Sequence, residues 1–123
     1  MKYLFVYGKL INRFDDDACY VKNATTYGMK LGIHKTTQIP CIIPTYNLED
    51  YVDGQIIKIC KPETMTKVIS IINQLASGFT KKTIQVNVEH KIKEAYVYMP
   101  NDLTMYDEIT EHSYESYCSS NKK

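Results

Sequence analysis

Apolar and polar positions divide the chain into short alternating segments around one long helical stripe. Lys2 to Tyr7 mixes aromatic and β-branched residues and stops at Gly8, predicting a buried strand that feeds a tight turn. The polar stretch Asn12 to Asn23 reads as a solvated loop. Its Asp15-Asp16-Asp17 run lacks the spacing and terminal Glu of a calcium-binding EF-hand. From Ala24 to Pro44, short strands are broken by Gly28, Gly32, Pro40 and Pro44. Val52-Asp53-Gly54-Gln55 then leads into the strand Ile56-Ile57-Lys58-Ile59.

The one clear helix follows. Pro62 suits a first helical position and Glu63 complements the positive end of the helix dipole. Met65, Val68, Ile69, Ile72, Leu75 and Ala76 recur at helical spacing, and Gly78 suits the C-cap. Such a stripe predicts packing against a core. Thr83 to Val88 and Ala95 to Tyr98 alternate as half-buried strands do, and the chain beyond Pro100 turns polar. Short strands around a single helix predict an α+β domain with a curved, mainly antiparallel sheet. The domain is expected over residues 1–117, with 118–123 as a flexible tail.

Composition narrows the function. The chain has 123 residues, 44% of them apolar, enough for the core of one domain. Fifteen basic against fourteen acidic residues leave a net charge of +1, which argues against polymeric nucleic acid or an anionic membrane as the main partner. The first ten residues hold only about five consecutive apolar ones, fewer than the roughly 7 to 15 of a signal peptide, and no run nears the roughly 18 of a membrane span. A cytoplasmic protein is therefore expected, with Cys19, Cys41, Cys60 and Cys118 as reduced thiols. Eleven tyrosines without tryptophan hint at an A+T-rich genome.

Generic chemistry is sparse. His34, His90 and His112 have neither the spacing nor the carboxylate partners of a zinc site, so no metal or cofactor is expected. Gly8-Lys9 is not a phosphate loop, because Leu10 replaces the magnesium-binding hydroxyl residue and the upstream glycine is absent. No Ser or Cys lies in a nucleophile elbow.

One constellation goes further. Phe5-Val6-Tyr7-Gly8-Lys9-Leu10 resembles the opening signature of the γ-glutamylcyclotransferase-like (avirulence-induced-gene-like) family, in which an aliphatic pair, Tyr-Gly, a small hydroxyl residue and Leu stand in that order. Residues Ala24 to Leu31 look like the family's second strand, and Ile39 to Pro44 like its Pro-containing turn. Val52-Asp53-Gly54-Gln55-Ile56-Ile57 is similar to its Val-x-Gly-Glu-aliphatic-Tyr segment. Phe79-x-Lys81-x-x-Ile84-x-Val86 keeps the spacing of Tyr-x-Arg-x-x-Val-x-Val. Ala95 to Tyr98 resembles the last strand, and Ile109 to Tyr117 sits where the family carries Ile-x-Ser-Gly-Asp-Trp-x-x-Tyr. The resemblance covers nearly the whole chain.

It implies a small, mainly antiparallel β-barrel flanked by helices, with a cavity at one end. In active members, the Tyr-Gly-x-Leu loop directs backbone N–H groups at the substrate carboxylate. A glutamate just after the main helix moves the proton off the α-ammonium. The freed amine then attacks the γ-carbonyl and closes 5-oxoproline. General acid–base help of this kind contributes roughly 10²- to 10⁴-fold.

Here the glutamate position is Ala76, within Leu75-Ala76-Ser77-Gly78, unless a displaced carboxylate such as Glu89 or Glu94 reaches the cavity. Phe79 replaces Tyr, Lys81 replaces Arg, Ile11 stands where a basic residue often follows, and Lys9 adds a cation where the family has Ser or Thr. The resulting expectation is a non-catalytic binding protein that sequesters a small anionic metabolite, a nucleotide or cyclic nucleotide signal being the most concrete candidate. Tyr7, Gly8, Lys9, Leu10, Ala76, Phe79, Lys81 and Tyr96 would form the ligand site. Such a sponge would suit a small protein of viral origin. A γ-glutamyl compound is the alternative ligand, and the rivals are an active cyclotransferase acting on a γ-glutamyl amine or peptide with a displaced carboxylate, and a protein-interaction module with a vestigial pocket. Oligomeric state is left open.

Overall fold

In the computed structural model, which describes residues 3–8, 11, 13–75 and 78–120, the opening strand is β1 (Tyr3–Val6). It is followed by β2 (Tyr20–Tyr27), β3 (Met29–His34), β4 (Pro40–Pro44) and β5 (Tyr51–Lys58). Helix α1 (Pro62–Leu75) precedes β6 (Phe79–Val88), β7 (Lys91–Pro100), β8 (Tyr106–Glu108) and α2 (Tyr114–Ser120). Five strands close a barrel in the order β1-β5-β2-β6-β7, and β4-β3-β8 form a separate sheet. The barrel ladders are antiparallel except where β1 lies parallel to β7, with Tyr3 beside Ala95. The α+β barrel flanked by helices therefore stands as expected.

Side-chain alternation assigns the two faces of the barrel wall. Phe5, Ala24, Val52, Ile56, Val86, Ala95 and Val97 point inward and form one buried cluster, so the barrel is packed shut. Leu4, Val6, Ile57 and Ile59 point outward and join Phe14, Val68 and Ile72 in a second cluster beneath α1. The apolar stripe of α1 is thus core, as its spacing predicts.

Several elements depart from the sequence expectations. β2 begins at Tyr20, inside the stretch read as loop, because its backbone pairs with β5 from Tyr20 opposite Lys58 to Tyr27 opposite Tyr51. That ladder also overturns the expectation of four reduced thiols. Cys19 donates its N–H to the Lys58 carbonyl, and Cys60 lies just beyond the end of β5. The two cysteines, 41 positions apart, come to a Cα–Cα distance of 6.1 Å and form a disulfide. Cys41 and Cys118 remain free. The polar segment after Pro100 carries β8 and α2, and α2 crosses the boundary placed at Tyr117. Among the described residues no helix is long and apolar enough to cross a membrane.

Candidate functional site

The outward rows of β1, β5 and β2 explain where a cavity forms. Leu4, Ile57 and Val21 lie side by side and are covered by α1. One step along, Val6, Gln55 and Asn23 form the next row, followed by Asp53 and Thr25. The face changes there from apolar to polar, and the roof of α1 ends. A cavity of about 480 Å³ opens over Asn23, Asp53, Gly54 and Gln55. It lies on the outer wall of the barrel, because the interior is filled by the residues that alternate with these.

Two walls complete it. On one side stands the turn after β1, represented by Gly8 and Ile11, with Ile11 N–H donating to the Gly8 carbonyl. Gly8 has φ +64°, and a Cβ there would stand 2.5 Å from Pro40 Cγ. Only glycine fits both the left-handed backbone and that approach. On the other side stand Ser113, Tyr114 and Glu115 at the start of α2. Ser113 Oγ caps this helix by accepting the Ser116 N–H at 3.1 Å.

The α2 wall is fixed to the barrel by His112. β1 stops pairing with β5 at Gln55, which leaves the next donor on that edge of β5 open. Asp53 N–H donates there to the His112 carbonyl at 2.7 Å. The imidazole stacks on Tyr51 at 3.7 Å with the planes 10° apart, and its Nδ1 lies 3.1 Å from the Tyr51 carbonyl. The Asp53 side chain accepts the Thr25 hydroxyl at 2.8 Å. Burial and contact with Cys118 hold the Tyr114 phenol above its ordinary value, so it remains an O–H donor at neutral pH. The cavity therefore presents two carboxylates, Asp53 and Glu115, among neutral polar groups. Among the described residues no group of three His, Cys, Asp or Glu could hold a metal ion.

A family model described as gamma-glutamyl cyclotransferase, AIG2-like, matches residues 4–118. The chain belongs to that family. Solved structures of similar fold include YkqA from Bacillus subtilis, 24% identical over 99% of this chain with a TM-score of 0.70. This chain spans only 43% of YkqA. An AIG2-like protein from Mus musculus is 20% identical, with 94% of this chain and 89% of that one covered and a TM-score of 0.68. A gamma-glutamyl cyclotransferase from yeast, specific to glutathione, is 14% identical over 80% of this chain and 68% of its own, with a TM-score of 0.61. Comparison with curated protein sequences finds no match.

The residues expected to form one ligand site are dispersed. Gly8 lines the cavity. Tyr7 is buried in the barrel core, where its hydroxyl donates to the Tyr98 carbonyl at 3.0 Å and desolvation pushes its titration far above the ordinary range. Phe79 packs edge-on to Tyr106. Lys81 and Tyr96 line a different cleft beside α1. Lys9, Leu10 and Ala76 lie outside the described residues. Neither alternative carboxylate lines the cavity: Glu89 pairs with Lys22 at 2.9 Å, and Glu94 sits opposite Gln85 on β7. Asp53 and Glu115 are the acidic residues that sequence reading missed. Both lie in segments that resemble the family's, and for Asp53 the signal is its register, out of phase with the apolar Val52 and Ile56.

Proposed function

We propose that the chain binds a small γ-glutamyl compound in the outer-wall cavity and retains it rather than converting it. The observation that carries this reading is the pair of carboxylates, Asp53 and Glu115, facing a cavity bounded by the Tyr7-Gly8 turn. A γ-glutamyl compound has an α-ammonium to set against those carboxylates and an α-carboxylate for the backbone N–H groups that the family resemblance implies on the turn, the arrangement that charge complementarity favours. A dianion in the same place would face two like charges, so the charged lining favours a zwitterion over a nucleotide. Retention follows from the sequence, in which Ala76 occupies the family's glutamate position and offers no ionisable group to transfer a proton.

The same carboxylates support a second reading, cyclotransfer. Either one is a chemically competent base for the α-ammonium. The amine would then attack the γ-carbonyl, the γ-amide C–N bond would break, and the proton would pass to the departing amine. One experiment separates the readings. The protein is incubated with γ-glutamyl-lysine while thermal stability and 5-oxoproline are followed. Retention predicts a rise of about 10 °C at about 100 times the dissociation constant, with no 5-oxoproline. Release at enzymatic rates, lost in Asp53→Asn or Glu115→Gln, establishes cyclotransfer. Neither a shift nor release with any γ-glutamyl amine overturns both and leaves an interaction module.

A further inference from the structure

We infer that the end of the barrel closed by Tyr3 and Tyr20 is an anion site, separate from the outer-wall cavity, that takes a phosphate dianion. At this end β1, β2 and β7 begin and β5 and β6 finish. The inward row of each of three strands continues past the packed core and changes there from apolar to cationic. On β5, Val52 and Ile56 are followed by Lys58. On β7, Lys91 and Lys93 precede Ala95 and Val97, and on β2 Lys22 precedes Ala24. Tyr3 and Tyr20 share this parity, pack against the core beneath and meet with ring centres 5.3 Å apart, so they plug the barrel. The Cys19–Cys60 disulfide ties β2 to β5 at the same end.

Tyr3 sits between two of these lysines. Strand β1 runs between β5 and β7, with Leu4 opposite Ile57 and Tyr3 beside Ala95. Lys58 and Lys93 therefore reach the Tyr3 ring from the strands on either side, with Nζ at 5.9 and 5.0 Å from its centre. Both lysines are half-buried, and among the described residues neither has a carboxylate within ion-pair distance. Glu89, in the turn between β6 and β7, is engaged by Lys22 at 2.9 Å. That bond, and after it the charges of Lys91 and Lys93, hold the Glu89 carboxyl below its ordinary value. Four lysines thus meet at a rim to which this turn contributes a single carboxylate. A ring face is a weaker partner for an ammonium than a phosphate oxygen, and partial burial has already stripped water from Lys58 and Lys93. A compact tetrahedral dianion over Tyr3 can accept from both. The cations converge on one ring rather than lining a groove, which favours a small dianion over an extended acidic peptide.

Titration with inorganic phosphate at low salt and mildly alkaline pH, followed in amide NMR spectra, tests the site, with thermal unfolding to establish that each variant is folded. The expected result is one saturable set of shifts centred on Tyr3, Tyr20, Lys58 and Lys93, with Asp53, Gln55 and Glu115 unmoved. Lys58→Gln and Lys93→Gln should each weaken binding about tenfold. Lys30→Gln, which removes the same charge from the separate sheet, should leave it unchanged. Glu89→Gln should tighten it about threefold by releasing Lys22. Glycerol phosphate distinguishes the source: equal affinity assigns the site to the free ion, tighter binding to a phosphorylated small molecule, and both uphold it. The proposal is overturned by shifts that do not saturate or that chloride at equal ionic strength reproduces, or by equal losses in the Lys30 and Lys58 variants. Weaker binding to Glu89→Gln, displacement of phosphate by γ-glutamyl-lysine, or tighter binding of an oligo-aspartate peptide than of either phosphate would overturn it as well.

Discussion

Replacing Gly54 by alanine tests whether the approach of β1 to β5 shapes the cavity. An alanine Cβ at this position would stand 2.5 Å from the Val6 carbonyl oxygen and 2.7 Å from Phe5 Cζ. The ring can turn, but the carbonyl is backbone. Reaching even the 3.0 Å that real Cβ contacts keep would move the end of β1 by at least 0.5 Å. Overpacking of this kind costs about 1–3 kcal/mol. For a chain of 123 residues, about 4 °C of Tm accompanies each kcal/mol, so Gly54→Ala should melt about 4–12 °C lower. The displaced carbonyl belongs to the residue before Tyr7-Gly8, so the γ-glutamyl-lysine shift should shrink as well. Gly28→Ala is the control: its φ of +77° imposes backbone strain, but nothing lies within 4 Å of an added Cβ. It should lower Tm without touching the ligand response. Circular dichroism melts with and without ligand read both effects. A Gly54→Ala protein within about 0.5 kcal/mol of the parent and fully responsive to ligand would refute the reasoning.

Three further outcomes are expected. Cys60→Ser should lose about 4 kcal/mol, the chain-entropy value for a disulfide spanning 41 positions, and reductant should destabilise the parent to the same level; a parent insensitive to reductant contradicts the Cys19–Cys60 link. Ellman's reagent should find the exposed Cys118 in the native protein and Cys41 only after unfolding, since burial pushes the Cys41 thiol up to about 12; because the folded state resists ionising it, stability should fall as pH rises from 9.0 through that value, and a flat profile would deny the burial. Ala76→Glu should confer 5-oxoproline release on γ-glutamyl-lysine if the family alignment is right there, while Ala76→Gln should not; silence from both would misplace the position.

The sequence carried the parts of the fold whose physics is local. β1 and α1 announce themselves through apolar runs with the periods of a strand and a helix, and the helix spans Pro62–Leu75 close to its expected limits. β6 and β7 run longer than their apolar alternation, because lysines and threonines continue the ladder after burial has ended. α2 is held by Ser113 at its cap and by the His112 stack on Tyr51, a contact between positions 61 apart. The site was half legible. Gly8 stands in a recognisable turn, and Asp53 and Gln55 lie within a segment similar to the family's, but their share in a cavity depends on where α1 stops covering the sheet. Lys81 and Tyr96 carry a ligand-site signal in sequence, and the barrel register puts them together in a second cleft.

The pairing of β1 with β7 governs when this molecule can begin to work. Tyr3 and Ala95 are neighbours although 92 positions separate them, so β1 waits for β7 to be synthesised before its open edge is covered. Until β7 leaves the ribosome, the edge of β1 that it covers remains available for wrong partners, which invites chaperone capture. Ser113 to Glu115 emerge later still, so a nascent chain released early has neither a sealed barrel nor a finished cavity wall.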